Sequence, residues 1–303
     1  MRFKILVFVL AAVLLGGTLL WAYWFYDTID QPERQAQRQL QKREKEARAG
    51  ALPDPAKPTY TRALEALREG RIDEACALLQ RLMQVYQESP HAEEARHIIG
   101  EINMDRLFSR APSPGKRDYV VKRGDSMARI EKGSLTTIPF LTRLNQLNSI
   151  SLQPGDRLVY QPLEFEITID LKSQKLILRQ KESESLPASF FKEYALTSAA
   201  LPPQLSKKLK IKTHIQKKNA SIGGKAVLAT DPRLSFARKS LQTTTKPGSP
   251  SVLLRPESER IQATASPSKE DATRPLYGLF LEDGDLDELY TIIRPGTPVE
   301  VNS

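Results

Sequence analysis

The chain has 303 residues, a formal net charge of +9 at pH 7 and a sequence pI near 9.5, and this length accommodates two or three domains. Its one cysteine excludes an internal disulfide framework and a cysteine-based zinc site. The basic charge suits contact with anionic lipid or anionic wall polymers. No nucleic-acid motif accompanies it, so we predict no nucleic-acid partner. We also predict no metal, because His91 and His97 lack further ligands, and no cofactor.

Residues 5–26 carry no charge, and about 22 helical residues span roughly 33 Å, enough for a bilayer core. Arg2 and Lys4 precede the run, and tryptophan and tyrosine gather at its far end. We therefore predict a transmembrane signal-anchor over residues 1–26. It makes the protein single-pass in the inner (cytoplasmic) membrane, with its other domains extracytoplasmic, in the periplasm. A cleaved signal peptide is the rival interpretation.

Residues 27–58 are predicted to form a charged stalk and linker. The part from 31 to 49 is rich in Gln, Glu, Lys and Arg, which is typical of a solvated helix. Pro53, Pro55 and Pro58 then end any helix.

Residues 59–110 show apolar side chains at three- and four-residue spacing, which gives each of three helices one buried stripe. Ser89 and Pro90 form an N-cap and first-turn pair for the third helix. The segment resembles a tetratricopeptide unit on residues that stand where small, turn and stop residues are expected: Ala63, Gly70, Ala75, Leu79 and Pro90. Because such units need about three copies for independent stability, we expect it to pack on something else or oligomerise, and to dock a protein partner.

Residues 117–162 contain the clearest module. Tyr119 and Val121 alternate as one face of a strand, and residues 124–126 supply turn and N-cap chemistry. A short apolar helix stripe and a Pro-Gly-Asp turn at 154–156 follow. These features resemble a LysM domain, in which a strand ends at Gly-Asp-Ser/Thr, two helices follow and a second strand comes after the Pro-Gly-Asp turn.

The LysM resemblance implies binding of N-acetylglucosamine-containing glycan, chiefly peptidoglycan, in a shallow groove between two loops. Backbone groups and small polar side chains suit acetamido and hydroxyl groups. Helix capping is the alternative role for Asp125 and Ser126, and the two roles are compatible. Carried over to this chain, the first loop supplies Gly124, Asp125, Ser126 and Met127, and the second loop supplies Asn148, Ser149, Ile150 and Ser151.

Residues 163–303 begin with two alternating strands joined by a hairpin turn at 170–174. A basic strand is predicted at 209–215 and another strand at 252–254. The stretch from 240 to 250 is rich in Thr, Ser, Pro and Gly and is predicted to be a loop.

Two stretches of this final domain, residues 165–198 and 261–301, resemble the two ends of an L,D-transpeptidase catalytic domain. Within the first stretch, residues 169–176 resemble the opening hairpin of that domain. There the family reads Ile-His-Gly-Thr and later Ser-x-Gly-Cys-Ile-Arg. At the family's usual spacing the histidine falls on Gln262, the cysteine on Gly278 and the arginine on Phe280. A cysteine acyl transferase needs a thiolate and a base, and glutamine and glycine supply neither. We therefore predict no catalytic residue in this domain.

The sequence thus predicts an α+β multidomain protein with a transmembrane helix, a helical tetratricopeptide-like repeat, a βααβ LysM domain and a mainly-β L,D-transpeptidase-like domain. It favours a membrane-anchored peptidoglycan-binding protein with a catalytically dead terminal scaffold. The alternative is an active L,D-transpeptidase that remodels or crosslinks peptidoglycan. That reading needs a substitute nucleophile such as Ser266 or Ser268.

Overall fold

The computed structural model describes residues 54–181, 187–206, 210–244, 251–265 and 276–302. The predicted anchor at 1–26 and nearly all of the predicted stalk and linker lie outside these ranges. Within them, no helix combines the length and apolar character needed to cross a membrane. The anchor stays a prediction from the sequence.

Three helices occupy the segment predicted to be repeat-like: α1 (Lys57–Arg68), α2 (Ile72–Val85) and α3 (Pro90–Phe108). Gly70, with φ of +75°, forms the turn between α1 and α2, in a region of backbone angles that favours glycine. Ser89 Oγ accepts the His91 N–H at 3.1 Å, and Pro90 opens α3. The predicted helical segment and its capping signal are confirmed.

The next module has the order β1 (Arg117–Val120), α4 (Met127–Gly133), α5 (Ile138–Leu144) and β2 (Arg157–Tyr160). The two strands pair antiparallel, with Arg117 opposite Tyr160. This is the predicted βααβ arrangement. Its own small apolar cluster contains Val121, Met127, Ile130, Ile138, Leu141 and Leu158.

The described strands of the C-terminal domain form one ten-stranded mixed sheet. They are β3 (Phe165–Asp170), β4 (Lys175–Gln180), β5 (Ser189–Ala195), β6 (Ser198–Ala200), β7 (Lys210–Ile222), β8 (Lys225–Ala226), β9 (Arg238–Thr244), β10 (Leu253–Pro256), β11 (Gly278–Leu281) and β12 (Pro298–Asn302). The order is β5-β4-β3-β12-β7-β9-β10-β11-β6, with β8 paired to β7. The pairs β10–β11 and β12–β3 are parallel, and the other pairs are antiparallel.

Helices accompany this sheet, so the domain is a mixed α/β structure. They are α6 (Pro203–Ser206), a 3-10 helix (Pro232–Phe236), α7 (Glu257–Ala265) and α8 (Asp283–Ile292). The predicted opening hairpin is formed by β3 and β4, with Asp170 opposite Lys175. Asp170 carboxylate oxygens accept hydrogen bonds from Lys172 N–H and Ser173 Oγ, which closes the turn.

The loop predicted from 240 to 250 is wrong over its first half, because β9 continues to Thr244. Leu241 and Thr243 are buried on one face of that strand, and β9 pairs with the long strand β7. Threonine favours strands, so the loop prediction gave too much weight to the Pro, Gly and Ser residues at 247–249. The remainder, 245–250, lies outside the described residues.

The third helix packs against β5, which lies at one end of the described sheet. Asn103 Nδ2 donates to the Phe191 carbonyl at 2.8 Å. The buried Lys192 Nζ lies 2.8 Å from Glu101 of α3 and 2.8 Å from Glu288 of α8. The expectation that the short repeat packs on another structure is therefore met within the chain.

Helix α5 is shared by two apolar cores. Ile138 and Leu141 belong to the small cluster of the βααβ module. Phe140 and Leu144, both fully buried, belong to the large cluster of the C-terminal sheet. In addition, Thr137 Oγ1 donates to the Thr291 carbonyl of α8. The βααβ module is therefore fixed against the C-terminal domain, and residues 59–303 form one compact unit.

Candidate functional site

The first predicted glycan-binding loop, residues 124–127, is held by its own hydrogen bonds. The Asp125 carboxylate accepts the Tyr119 hydroxyl at 2.8 Å and the Lys122 N–H at 2.7 Å. The Lys122 hydrogen bond, followed by that from Tyr119, lowers the pKa of Asp125 below its usual range. Asp125 is thus an ionised residue that orders the loop.

The other three residues of the first loop have different roles: Gly124 offers a backbone carbonyl, Ser126 caps a helix and Met127 packs in the core. Gly124 is exposed, with φ of +86°, and its carbonyl accepts from Arg129 Nη1 at 2.7 Å. Ser126 Oγ accepts the Arg129 N–H at 3.3 Å and caps α4. Met127 is buried and fills the small core. Of this loop, Gly124 and Ser126 are exposed to a ligand.

The second predicted loop, residues 148–151, is exposed throughout. Ser151 N–H donates to Ser149 Oγ at 3.1 Å, which shapes the turn. Asn145 anchors the start of the loop: its amide oxygen accepts the Val159 N–H at 2.8 Å, and its Nδ2 donates to the Val159 carbonyl at 2.7 Å. Leu147 and Leu152 flank the loop and pack on the same cluster as Met127. Both predicted loops therefore belong to one small domain.

Part of the second loop faces the C-terminal domain across a cavity of about 660 Å³, here named the interdomain cleft. The βααβ module supplies one wall, and the segment from 229 to 235 together with α8 supplies the other. The first loop does not line it. The lining residues are Pro139, Thr142, Arg143, Gln146, Leu147, Asn148, Ser149, Ile150, Ala229, Thr230, Asp231, Pro232, Leu234, Ser235, Lys239, Asp287, Tyr290 and Thr291.

Sequence reasoning missed the C-terminal wall of this cleft. Thr230, Ser235 and Tyr290 belong to no motif, and more than 70 residues separate them from the second loop. The shared helix α5 brings the two walls together, and Ala229 of the C-terminal wall packs directly on the small LysM cluster.

The positions that resemble the L,D-transpeptidase motif hold no catalytic pair. Gly278 begins β11 and is buried, and Phe280, at the arginine position, is a core residue. Gln262 lies on the exposed side of α7, where its amide oxygen accepts from Arg238 Nη2. The space beside Gly278 is filled, since a Cβ there would meet Arg255 Cδ at 2.9 Å.

Gln262 lines a second cavity, of about 670 Å³, in the C-terminal domain. None of its described lining residues is a cysteine or a histidine, so the thiolate and imidazole that this chemistry needs are missing from its walls. Ser266 and Ser268, the substitute nucleophiles considered above, lie outside the described residues.

Among the described residues, the cysteine and histidine side chains do not gather into a metal site. Cys76 is buried in α2, and burial raises the pKa of its thiol. The His91 ring stacks on Tyr60 with centroids 4.6 Å apart. Over the described ranges, no three His, Cys, Asp or Glu side chains come together as a metal site.

The family model of the LysM domain matches residues 119–160. The predicted LysM domain is therefore confirmed, in the same βααβ module that carries both loops. No curated protein matches the chain.

Three solved structures represent the structural similarity. One is a fused Zn-dependent amidase/peptidase/peptidoglycan-binding domain-containing protein from Clostridium acetobutylicum, with 11% identity, TM-score 0.29, and coverage of 46% of this chain and 51% of that one. Another is an L,D-transpeptidase from Mycobacterium smegmatis, with 10% identity, TM-score 0.26, and coverage of 49% of this chain and 64% of that one. A third is an L,D-transpeptidase from Stackebrandtia nassauensis, with 11% identity, TM-score 0.24, and coverage of 76% of this chain and 78% of that one.

Structural similarity to L,D-transpeptidases thus accompanies the sequence resemblance. The chain spans about half of the amidase fusion and less than two thirds of the M. smegmatis enzyme. TM-scores this low extend no activity, substrate or partner to this chain.

Proposed function

We propose that this is a cell-envelope protein that binds N-acetylglucosamine-containing peptidoglycan glycan through its LysM domain and uses the C-terminal domain as a non-catalytic scaffold. The N-terminal segment anchors it in the cytoplasmic membrane, with the folded domains in the periplasm. The observation that carries the proposal is the LysM match at residues 119–160, together with a second loop that presents exposed Asn148 and Ser149.

The non-catalytic part of the proposal rests on the residues at the motif positions. Gly278 and Gln262 supply no nucleophile and no base, and Arg255 occupies the space where a side chain at 278 would lie. An acyl transferase without a thiolate or a paired base loses the main source of its rate.

Glycan binding is tested by pelleting the full chain with insoluble peptidoglycan. Deleting residues 119–160 is unsuitable, since Phe140 and Leu144 belong to the C-terminal core. We therefore compare Ser149→Trp, in the second loop, with Lys132→Trp, at an exposed position on α4. The first substitution is expected to reduce pelleting strongly and the second to leave it unchanged. Equal pelleting of both variants and wild type would remove the LysM groove from the proposal.

Catalysis is tested by incubating the full chain with tetrapeptide-containing muropeptides and measuring products by mass spectrometry. We expect no D-alanine release, no trimmed product and no crosslinked product. Product formation would establish the alternative of an active L,D-transpeptidase and direct attention to a nucleophile outside the Gly278 position.

Localisation is tested separately, because it rests on residues 1–26 alone. Cell fractionation is expected to recover the protein in the cytoplasmic membrane, with its folded domains open to protease added to the periplasm. Recovery of a shortened soluble form would support the cleaved signal peptide instead.

A further inference from the structure

The interdomain cleft has the size and shape of a ligand site. Its volume of about 660 Å³ falls within the range of roughly 300–1,000 Å³ of small-molecule sites. Its two walls are held in place by the shared helix α5 and by the hydrogen bond from Thr137 Oγ1 to the Thr291 carbonyl. The cleft is therefore already formed by packed elements in this structure.

The side chains of both walls suit a saccharide. Hydroxyl groups stand on both walls and amide groups on the LysM wall, and they can exchange hydrogen bonds with sugar hydroxyl and acetamido groups. Apolar groups among them suit the C–H faces of a sugar ring. The polar groups are Thr142, Gln146, Asn148, Ser149, Thr230 and Ser235, and the apolar groups are Leu147, Ile150, Pro232 and Tyr290.

The charged side chains that line the cleft favour a ligand that carries a negative charge. Lys239 Nζ pairs with Asp287, and Asp231 pairs with Arg233 at 2.8 Å. Both carboxylates of the described lining are thus taken, while the exposed guanidinium of Arg143 has no carboxylate partner among the lining residues.

The Arg143 guanidinium is also held in place. Its central carbon lies 3.9 Å from the centroid of the Phe108 ring, and Phe108 packs on Phe140 with ring centroids 5.5 Å apart. Stacking on an aromatic face fixes an arginine without using its hydrogen-bond donors. The donors stay available for a carboxylate.

We propose that the interdomain cleft binds an N-acetylated saccharide together with the carboxylate-bearing peptide attached to it, with the C-terminal domain as the second wall of the glycan site. The sugar extends from the second loop into this cleft. Thr230 and Ser235 contact the ligand from the C-terminal wall, and Arg143 pairs with the ligand carboxylate. The inference rests on the proposed glycan binding and assigns the terminal domain a direct part in it.

The first test asks whether the C-terminal wall takes part. The affinity of the full chain for a disaccharide-tetrapeptide muropeptide is measured by calorimetry for Ser235→Trp and Leu228→Trp. Both positions are exposed on the same segment, but only Ser235 lines the cleft. Ser235→Trp is expected to weaken binding about tenfold or more, the equivalent of ~1.4 kcal/mol, and Leu228→Trp to leave it unchanged.

The second test asks whether Arg143 selects for charge. Arg143→Gln is expected to weaken binding of the muropeptide about tenfold and to leave binding of the neutral N-acetylglucosamine tetramer unchanged. Lys132→Gln, which removes an exposed charge of the same domain away from the cleft, is expected to change neither. An equal loss for both ligands with Arg143→Gln, or no loss with Ser235→Trp, would overturn the proposal.

The outcome for the wild-type chain separates this inference from the proposed function. If wild type binds the neutral tetramer and the cleft variants behave like wild type with the muropeptide, the LysM groove stands and the composite cleft is wrong. If wild type binds neither ligand, the proposed function fails and the cleft proposal fails with it. Circular dichroism and thermal melting of each variant verify that it is folded.

Discussion

At the scale of single residues, Arg255 fills the space beside Gly278, the position where the L,D-transpeptidase resemblance places a cysteine. In β11 the residue at 278 faces the Arg255 side chain of the parallel neighbour β10, and a Cβ there would also lie 3.1 Å from the Leu253 carbonyl oxygen. Arg255 Nη1 in turn donates to Glu259 on α7. A cysteine restored at 278 would therefore compete with this ion pair for space.

The crowding at Gly278 is tested with Gly278→Ala. Overpacking a filled site costs about 1–3 kcal/mol, so this variant is expected to have a lower free energy of unfolding in urea. The control is Gly284→Ala at the second residue of α8, where nothing lies within 4 Å of an added Cβ, so no loss of stability is expected. Equal stability of the two variants would show that Arg255 moves aside freely.

Lys218 gives a pH-dependent prediction. Its ammonium lies 4.6 Å from the Tyr290 ring centroid, and burial lowers its pKa to about 7, with Glu131 opposing part of the shift. From about pH 7 to the unfolded value near 10.4, the unfolded chain binds a proton that the folded chain has lost. The free energy of unfolding therefore rises with pH across this window.

Lys218→Met removes the cost of burying this charge. It is expected to stabilise the protein most at or below about pH 7, with a gain that fades toward pH 10. Urea unfolding at several pH values measures the difference, and Lys217→Met, at the exposed neighbouring position, serves as the control. A gain that stays constant with pH would contradict the role given to Lys218.

At the scale of elements, the position of α3 is fixed by its contacts with the sheet. Lys192 ties β5 to α3 and α8 through Glu101 and Glu288. Burial opposes its charge, but the hydrogen bonds to the two carboxylates outweigh that effect and raise the pKa of Lys192. The end strand β5 is thereby covered by a helix, which protects it from pairing with another chain.

Lys192→Met removes both ion pairs and is expected to lower the free energy of unfolding by about 2 kcal/mol. This is less than the ~3–5 kcal/mol typical of fully buried pairs, because both carboxylates retain some contact with water. Lys175→Met is the matched control. Lys175 also bridges two carboxylates, those of Glu93 and Glu193, but its side chain is 24% exposed, against 7% for Lys192. Denaturant unfolding compares them, and a larger loss for Lys175→Met would contradict the importance of burial.

At the scale of the whole molecule, the two faces of α5 separate one core from the other. Phe140→Ala is expected to destabilise the full chain by about 3–5 kcal/mol while leaving an isolated segment 117–162 nearly unchanged, since Phe140 packs on the C-terminal core. Leu141→Ala, on the face within the LysM cluster, is expected to destabilise both. Urea unfolding of the four variants and of the unsubstituted chain and segment measures this. An equal effect of Phe140→Ala on chain and segment would show that the cores are not divided in this way.

The sequence by itself determined the features that depend on near neighbours. Ser89 and Pro90 predicted the start of α3, residues 124–126 and the Pro-Gly-Asp turn predicted the LysM domain, and residues 170–174 predicted a hairpin. Capping and turn formation involve contacts across a few residues, so their chemistry is visible in a short stretch of chain.

Only the tertiary structure decided the features that join distant parts of the chain. It showed that β9 extends through 240–244, that Arg255 fills the space beside Gly278, and that residues 148–150 face Thr230 and Ser235 across the interdomain cleft. Each of these depends on which surfaces pack together. Packing is set by the combined burial of many side chains far apart in sequence, and no local pattern records it.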